Sequence, residues 1–531
     1  MVPRIFPYHV SRLGRTPLIR LISKALNYPH RDHELPIRAA RQDAEHECLS
    51  HKRSRRNFLL GSAATLAAAY AAPVMARVKK EAPHIVIVGA GIAGLNAAYV
   101  LRQSGYRATV YEASQRVGGR IHTAHGEIAP GLVTELGGEF IDTAHKDMLA
   151  LAKAFELPLI NTQVAGEREL KTAYFFGERH YSEEQVMDAF RPLASRIAAD
   201  AARLSPNITA RRHSSSDAEF DAISLAEYLQ RIGATGWMRD LIDVAYVAEY
   251  GLDASELSCI NLISLIDTNM KEGFQIFGDS DERYKIQGGN NRITDELARR
   301  IGAIVELEHR MVSMRRHGEA FRVTFTTQGK TTTVNADWVV LTLPFTLLRE
   351  VDMGDVLPPA KVNAVRNLGY GTNAKLVLGV ETRLWREQGF SGECYSDEAF
   401  QTGWDSSRQQ AGSFGAYTFF FGGKLGVEIG AGTAEERAQL LTPAIDQVFP
   451  GLAARRTKSS LRIHWPSEPF ALGSYSCFRP GQWTQIKGEI SRRAGNLLFA
   501  GEHCSSKFQG YMNGAAETGR HAAQAIINAL R

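Results

Sequence analysis

Three glycines and a glutamate in the first third of the 531-residue sequence have the spacing of a ligand-binding turn. Gly89, Gly91 and Gly94 follow the pattern G-x-G-x-x-G, and Glu112 comes later. The first glycine permits a tight turn, the second lets the backbone approach a pyrophosphate, and the third lets a helix pack closely on a strand. The carboxylate of Glu112 can accept hydrogen bonds from a ribose diol. These residues predict a dinucleotide site.

The segments on either side can supply the βαβ unit that such a site needs. Ile85–Val88 is a short, β-branched apolar run, typical of a buried parallel strand. A helical pattern then runs to about Gly105, and Ala108–Tyr111 is predicted as the second strand. At the start of the helix, the N–H groups of Ile92 and Ala93 can face the phosphates.

A second glycine pair, flanked by arginines, follows the second strand. Arg116, Gly119 and Arg120 belong to the segment E-A-x-x-R-x-G-G-R that begins at Glu112. In this segment the chain resembles the flavin-containing amine oxidase family. The resemblance implies FAD as the cofactor and a glutathione-reductase-like α/β fold.

Two further segments fit this resemblance. Gly137 and Gly138 form an L-G-G-x-aromatic pattern, which in the family runs alongside the flavin ring. Val312 stands where family members contact the adenine end through backbone groups. Lys375, in a G-x-G-x-x-x-K pattern, corresponds to the lysine that holds a water beside flavin N5. A solvent-facing lysine on an edge strand is the alternative for Lys375.

The carboxyl-terminal segment carries the second strong pattern, F-A-G-E followed by G-Y-M-N-G-A. The resemblance places Gly501 and Glu502 near the ribityl or phosphate region and the backbone N–H of Met512 against the flavin. A helix that begins there would stabilise negative charge on the reduced ring. Tyr511 would form one wall of an aromatic cage around the amine.

Either of two residues could form the second wall of the cage. Trp465 matches a tryptophan that packs near the isoalloxazine. Ser474 aligns with the first cage tyrosine, and the adjacent Tyr475 is the alternative. Gly473 aligns with the cysteine through which mitochondrial monoamine oxidases attach FAD. We therefore predict non-covalent FAD, and ordinary core packing is the alternative role for these aromatic residues.

The first part of the chain has the features of an export signal. Ser54–Leu60 is a twin-arginine pattern, an Ala- and Leu-rich run follows, and Val74–Ala76 offers small residues for cleavage. We predict a leader over 1–76 and a bacterial protein exported to or beyond the periplasm by the twin-arginine translocase. Residues 1–53 are a long amino-terminal extension or precede the start codon in use; a basic amphipathic segment on a membrane surface is the alternative.

The amino-acid composition limits the kinds of partner and site that can be expected. The formal net charge is only +5, and no basic tract follows the leader, so nucleic acid is not an expected partner. The cysteines show no C-x-x-C spacing, which leaves a metal site unsupported and one disulfide open. Membrane contact is expected only through the leader. The oligomeric state stays open, with a homodimer as one alternative.

The chain is too long for one core, and two domains are expected. We predict a Rossmann-like FAD-binding domain from residues 82–150, 285–345 and 490–531. Residues 151–284 and 346–489 are assigned to a mixed α+β substrate domain. Four strand patterns between residues 304 and 344 are expected to complete the FAD-binding sheet.

The reaction implied by the resemblance is oxidation of a primary or secondary amine to an imine. Oxygen would then reoxidise the flavin and give hydrogen peroxide. An L-amino acid oxidase is an alternative, disfavoured because Glu139 and Phe140 follow Gly138 where those enzymes carry an arginine, although Arg283 or Arg479 could bind a carboxylate. A dehydrogenase with a periplasmic electron carrier is a second alternative, and a flavin-free binding protein is a third.

Overall fold

The computed structural model describes residues 82–302 and 304–531, so the predicted leader and its twin-arginine pattern lie outside the described residues. The strands are β1 (Ile85–Val88), β2 (Ala108–Tyr111), β3 (Thr123–His125), β4 (Val133–Glu135), β5 (Leu159–Asn161), β6 (Lys171–Phe176), β7 (Arg179–Tyr181), β8 (Tyr284–Ile286), β9 (Val305–Glu306), β10 (Arg310–His317), β11 (Ala320–Thr327), β12 (Lys330–Ala336), β13 (Trp338–Leu341), β14 (Gly369–Tyr370), β15 (Ala374–Val380), β16 (Phe390–Ser396), β17 (Thr402–Asp405), β18 (Gly415–Phe421), β19 (Arg456–His464), β20 (Ser476–Cys477) and β21 (Leu497–Phe499).

The helices are α1 (Ile92–Gln103), α2 (Lys146–Ala154), α3 (Ala165–Arg168), α4 (Glu183–Ala201), α5 (Ser215–Asp221), α6 (Leu225–Arg231), α7 (Gly236–Tyr250), α8 (Cys259–Leu265), α9 (Asn291–Ile301), α10 (Phe345–Leu348), α11 (Pro359–Asn367), α12 (Leu384–Glu387), α13 (Gly423–Glu428), α14 (Ala434–Val448), α15 (Gln482–Gln485) and α16 (Met512–Leu530). Within the described part of the chain, no helix combines the length and the apolar character needed to cross a membrane.

A parallel sheet forms the centre of the predicted dinucleotide-binding part. Its five strands lie in the order β21-β13-β1-β2-β9. The predicted strands Ile85–Val88 and Ala108–Tyr111 are β1 and β2, and they pair in parallel with Ile85 opposite Ala108. All four side chains of β1 are buried, as expected for a strand covered on both faces. The α/β fold class is thus confirmed, and the loops after β1, β2, β13 and β21 meet at one edge of the sheet.

Helices α1 and α16 pack together against this sheet. The side-chain amide of Asn96 donates to the carbonyl oxygen of Ala516 at 2.7 Å. A Cβ atom at Gly519 would overlap the carbonyl oxygen of Ala93, so the two helices approach at van der Waals distance. The two ends of the described chain therefore form one layer.

Two strands predicted for the parallel sheet lie elsewhere. The predicted strands Met311–Arg315 and Phe321–Thr326 fall within β10 and β11, which form a separate three-stranded antiparallel sheet with β12. The expectation that they complete the FAD-binding sheet was wrong. Their connections are too short for a parallel crossover: Gly318 and Gly329 lie in the left-handed region with φ of +64° and +78°, as in tight hairpin turns.

The largest sheet is mixed and has seven strands, in the order β19-β15-β18-β17-β16-β6-β7. The strand β6 comes from residues 151–284, where sequence patterns indicated mainly helices. It pairs in parallel with β16, from residues 346–489. The two segments assigned to the substrate domain thus share one sheet, while the limits of the two domains stay a prediction.

Candidate functional site

A cavity of about 1930 Å³ connects the two main sheets. One end is lined by the loops at the carboxyl edge of the parallel sheet, including Gly91, Glu112 and Gly501. The other end is lined by side chains of the seven-stranded sheet, including Lys375 on β15 and Trp404 on β17. Most residues predicted for the site are therefore brought together.

The end at α1 fits a pyrophosphate. Among the described residues, no side chain caps the start of α1 at Gly91, and its first turn holds no acidic residue. A Cβ added at Gly91 would meet no atom within 4 Å, so the backbone there faces open space. Gly91, Ile92 and Ala93 all line the cavity. Uncapped N–H groups at a helix start favour an anionic ligand.

Glu112 and Arg116 brace this end of the cavity. The carboxylate of Glu112 accepts hydrogen bonds from Ala90 N at 2.7 Å and Ser114 N at 2.9 Å. The guanidinium of Arg116 donates to the carbonyl oxygen of Gly119 at 2.7 Å. Gly119 has φ of +58°, a left-handed conformation that favours glycine. These contacts fix the two loops that a nucleotide would contact.

Glu502 joins Arg120 to the segment that precedes α16. Its carboxylate accepts from Arg120 Nη1 at 3.0 Å, Ser476 Oγ at 2.7 Å and Gly510 N at 3.0 Å. Burial by itself raises the pKa of Glu502, but Arg120 and the other donors hold it below its usual value. Gly501, Glu502, Arg120 and Met512 line the cavity, and their contacts with FAD stay a prediction.

The start of α16 faces the cavity in the same way as that of α1. Among the described residues, no side chain caps it at Tyr511, and its first turn holds no acid. Met512 lies against Gly138, where an added Cβ would come within 2.7 Å of Met512 Cγ. The L-G-G segment and the start of α16 are thus in contact, and negative charge in front of them would be stabilised.

Lys375 is buried and not solvent-facing, which removes the edge-strand alternative. Its side chain is 5% exposed. The ammonium donates to the carbonyl oxygens of Glu135 at 3.0 Å and Gly137 at 2.9 Å. Its third contact is the Glu139 carboxylate at 2.9 Å. An ammonium has three donors, so a water held by Lys375 would have to replace one of these acceptors.

Sequence reasoning missed the partner of this lysine. Glu139 also contacts Lys285 at 2.7 Å, so one carboxylate bridges two buried lysines. Burial alone would raise the pKa of Glu139, but Lys285 and Lys375 lower it to about 2. The available signal was a lysine in the strand pattern Tyr284–Ile286 and an acid directly after the glycine pair.

Aromatic side chains surround the middle of the cavity. Tyr511, Trp465 and Tyr475 all line it, and their roles around the amine stay a prediction. The hydroxyl of Tyr475 donates to the carbonyl oxygen of Glu249 at 2.6 Å, and that of Tyr511 lies 3.3 Å from Glu249 Oε1. Trp404 was not predicted; its ring centroid lies 5.2 Å from Lys375 Nζ. Ser474 also lines the cavity, and its hydroxyl donates to Asn373 Oδ1 at 2.6 Å.

Two predicted cofactor residues do not line the cavity. Val312 lies on β10, where its carbonyl oxygen accepts from Asp352 N, and Glu308 and Gln328 line the cavity near that sheet instead. Gly94 faces the strand layer: a Cβ there would overlap the carbonyl oxygen of Gly89. The absence of a side chain at Gly94 therefore allows α1 to pack closely on the end of β1. The adenine contact of Val312 stays a prediction.

Carboxylates that line the same cavity as the aromatic residues are a further feature that the sequence did not reveal. Glu249, Glu282 and Glu393 line the cavity. Burial, and then repulsion from Glu393 and Glu249, raises the pKa of Glu282 well above its usual value. A cation placed among them would favour ionised Glu282.

We expect the variant Glu135→Gln to change how folding stability depends on pH. Burial raises the pKa of Glu135 to about 7, although Asn290 N and the Thr123 hydroxyl donate to it. Glutamates of the unfolded chain titrate near pH 4.3, so the folded state binds the Glu135 proton more tightly than the unfolded state does. The contribution of protonated Glu135 to the free energy of unfolding is therefore fully present below about pH 4.3 and is lost as pH rises through 7. Glu135→Gln should remove that loss, which is about 3 kcal/mol as an order of magnitude.

Urea unfolding of holoenzyme at pH 5 and pH 8 measures this effect. The stability of Glu135→Gln relative to the parent should be greater at pH 8. Glu127→Gln, at an exposed position nearby, is the control and should show no such change. An equal difference at both pH values would contradict the assignment.

Residues 92–527 match the profile of the family "Flavin containing amine oxidoreductase". An L-amino acid dehydrogenase of Synechocystis sp. is 26% identical over 468 residues, covering 84% of this chain and 95% of the relative. A flavin-containing amine oxidase of Danio rerio is 23% identical and covers 84% and 86% of the two chains. The solved structure of cyclohexylamine oxidase from Brevibacterium oxydans superposes with a TM-score of 0.72 at 21% identity, over 84% of this chain and 99% of that one, which establishes similarity of fold.

Proposed function

The chain belongs to the flavin-containing amine oxidoreductases, and from this premise we propose that it oxidises a small primary or secondary amine to an imine on non-covalently bound FAD, with oxygen as the electron acceptor. Membership makes it a flavin-dependent oxidoreductase that acts on amines. One observation carries the finer proposal: a single cavity joins a pyrophosphate-binding turn to a pocket of aromatic residues and carboxylates.

FAD held by the start of α1, by Glu112 and by the start of α16 would supply a two-electron acceptor for the hydride of the carbon next to the amine nitrogen. The protein positions this carbon and excludes water. Tyr511, Trp465 and Tyr475 supply the apolar walls. Desolvation between such walls favours the neutral amine, which is the form that can lose hydride. Loss of a hydride and a proton leaves an imine, which water hydrolyses. Passing these two electrons and two protons on to oxygen would give hydrogen peroxide.

The carboxylates that line the pocket support an amine over an amino acid, although Arg168, Lys171 and Arg408 line the same cavity; Arg408 lies 3.5 Å from Glu167. Neither arginine considered as a carboxylate partner lines the cavity: Arg479 pairs with Glu256 at 2.5 Å, and Arg283 donates to Asn161 Oδ1 at 3.2 Å. The carboxylates of Glu249 and Glu393 would repel a substrate carboxylate. They would attract the cationic amine as it enters.

Amine turnover tests the proposal. Purified holoenzyme should produce peroxide with putrescine, phenethylamine or tyramine more rapidly than with L-amino acids. In Glu282→Gln, KM for the amine should rise about 10- to 100-fold with a smaller change in kcat, since a hydrogen bond to a charged group contributes roughly 1.5–3 kcal/mol. Glu169→Gln, at an exposed position on the same cavity, is the matched control.

Two outcomes would contradict this proposal. Turnover of L-amino acids alone would reverse the choice of substrate. Reduction of an added dye under nitrogen, without peroxide formation in air, would replace oxygen by another electron carrier.

Non-covalent binding of FAD is supported by the positions of the cysteines. Gly473, with φ of +145°, aligns with the cysteine through which mitochondrial monoamine oxidases attach FAD. Of the four cysteines after residue 82, all unpaired and buried, only Cys394 lines the cavity. Acid precipitation should release all the yellow colour into the supernatant. Colour kept in the pellet would point to a bond at Cys394.

We further propose that the protein is exported in folded form through the twin-arginine pathway. The support is the order of Ser54–Leu60, the apolar run and Val74–Ala76 in the sequence. Export after folding would allow FAD to bind before the protein leaves the cytoplasm.

A further inference from the structure

Three buried charged side chains meet beside the cavity, and they form a continuous bridge. Glu139 Oε1 lies 2.7 Å from Lys285 Nζ, and Glu139 Oε2 lies 2.9 Å from Lys375 Nζ. The three side chains are 3%, 8% and 5% exposed, respectively. One hydroxyl, that of Ser406, also approaches Glu139, at 3.3 Å.

The bridge is attached to a segment that has little freedom to move. Lys375 donates to the carbonyl oxygens of Glu135 and Gly137, on both sides of Leu136. A Cβ at Gly137 would overlap the carbonyl oxygen of Arg120, and one at Gly138 would press on Met512. The segment is therefore held between the Arg120 backbone and the start of α16.

Stability alone is a weak explanation for such a group. Burying charges is costly, and buried ion pairs or triads can often be replaced by apolar side chains without loss of stability. What a carboxylate between two lysines does provide is a defined position for each ammonium. Removing the carboxylate would leave two like charges close together without their shared counter-ion.

We propose that Glu139 is a positioning residue, whose bridge to Lys285 fixes the ammonium of Lys375 against the carbonyl oxygens of Glu135 and Gly137. The inference rests on the proposed flavin site, because the glycine segment held in this way lines the cavity beside Met512. Glu139 itself acts through Lys375. The bridge also leaves a net charge of +1 at this wall, which favours electron transfer to a group in front of it.

The first test measures the reactivity of Lys375 without using activity. Holoenzyme is treated briefly with dilute acetic anhydride, and acetylation of each lysine is measured by mass spectrometry. In Glu139→Gln, Lys375 should react about 10- to 100-fold faster than in the parent, because it loses a charged hydrogen bond of roughly 1.5–3 kcal/mol. Glu139→Asp should also react faster, because the shorter side chain cannot reach both lysines.

The second test measures the reduction potential of the bound flavin against a reference dye. Glu139→Gln should have a more positive potential, since a negative charge is removed, whereas Glu139→Asp should keep the parent value. The matched control is Glu489→Gln: Glu489 is a buried carboxylate that lies 2.5 Å from Arg211 and 3.4 Å from Arg492 and is not among the residues that line the cavity. It should change neither readout.

Unchanged Lys375 acetylation and an unchanged potential in Glu139→Gln would overturn the proposal, even if the melting temperature fell. Failure of the parent protein to bind flavin would contradict the proposed function instead, and the acetylation rates would still test the bridge.

Discussion

Replacing Gly94 by valine is expected to give a protein that no longer retains FAD. A Cβ at this position would overlap the carbonyl oxygen of Gly89 and lie 3.2 Å from Ile87 Cγ2. Neither neighbour can move easily, because β1 is paired on both sides by β13 and β2. Helix α1 must therefore shift, and its N-terminal N–H groups leave the cavity edge. Overpacking of this kind costs about 1–3 kcal/mol, so FAD binding should weaken about 10- to 100-fold.

The ratio of flavin to protein absorbance after desalting measures this loss. Gly94→Ala provides a milder overlap if the valine variant does not fold. Gly519→Ala tests the same helix from its other face, because its Cβ would overlap the Ala93 carbonyl oxygen. Gly166→Ala is the control, at an exposed glycine where an added Cβ meets nothing within 4 Å. A Gly94→Val protein with full FAD content would show that close packing of α1 does not position the site.

The βαβ unit around Gly94 could be predicted from the sequence because its key contacts are local. The roles of Gly89, Gly91 and Gly94 are local: each follows from backbone geometry within one βαβ unit. The strand Ile85–Val88 and the helix after it are specified by short apolar patterns. Contacts between residues that are close in the sequence can be inferred from such patterns. The predicted strands accordingly match β1 and β2.

Elements that depend on distant partners were not predictable in the same way. The strands β10 and β11 have apolar patterns that suit either sheet, and only their short glycine turns determine antiparallel pairing. Glu139 meets Lys285 and Lys375 across 146 and 236 residues of sequence. A single sequence records the residue types but not which lysine a buried carboxylate will meet. The bridge therefore became apparent only from the fold.

Lys375→Met is expected to slow flavin reduction by the best amine substrate by about 100-fold or more. Methionine fills the volume but donates no hydrogen bond. The variant leaves the Glu135 and Gly137 carbonyl oxygens without their buried donor, and Glu139 without one of its two lysines. The glycine segment at the cavity wall then loses the contact that fixes it to β15. Anaerobic stopped-flow absorbance measures flavin reduction directly, whichever acceptor follows.

Lys285→Met removes the same charge as Lys375→Met but keeps the direct contacts of Lys375 with the carbonyl oxygens of Glu135 and Gly137. It also removes one of the two lysines from Glu139, but Lys285 contacts the Ser406 carbonyl oxygen and not Gly137. If the position of Lys375 matters, Lys285→Met should slow reduction less than Lys375→Met. Equal effects would mean that the direct contacts of Lys375 with the carbonyl oxygens of Glu135 and Gly137 add nothing beyond its charge and the Glu139 bridge. Lys458→Met, at an exposed position on the neighbouring strand β19, should react at the parent rate.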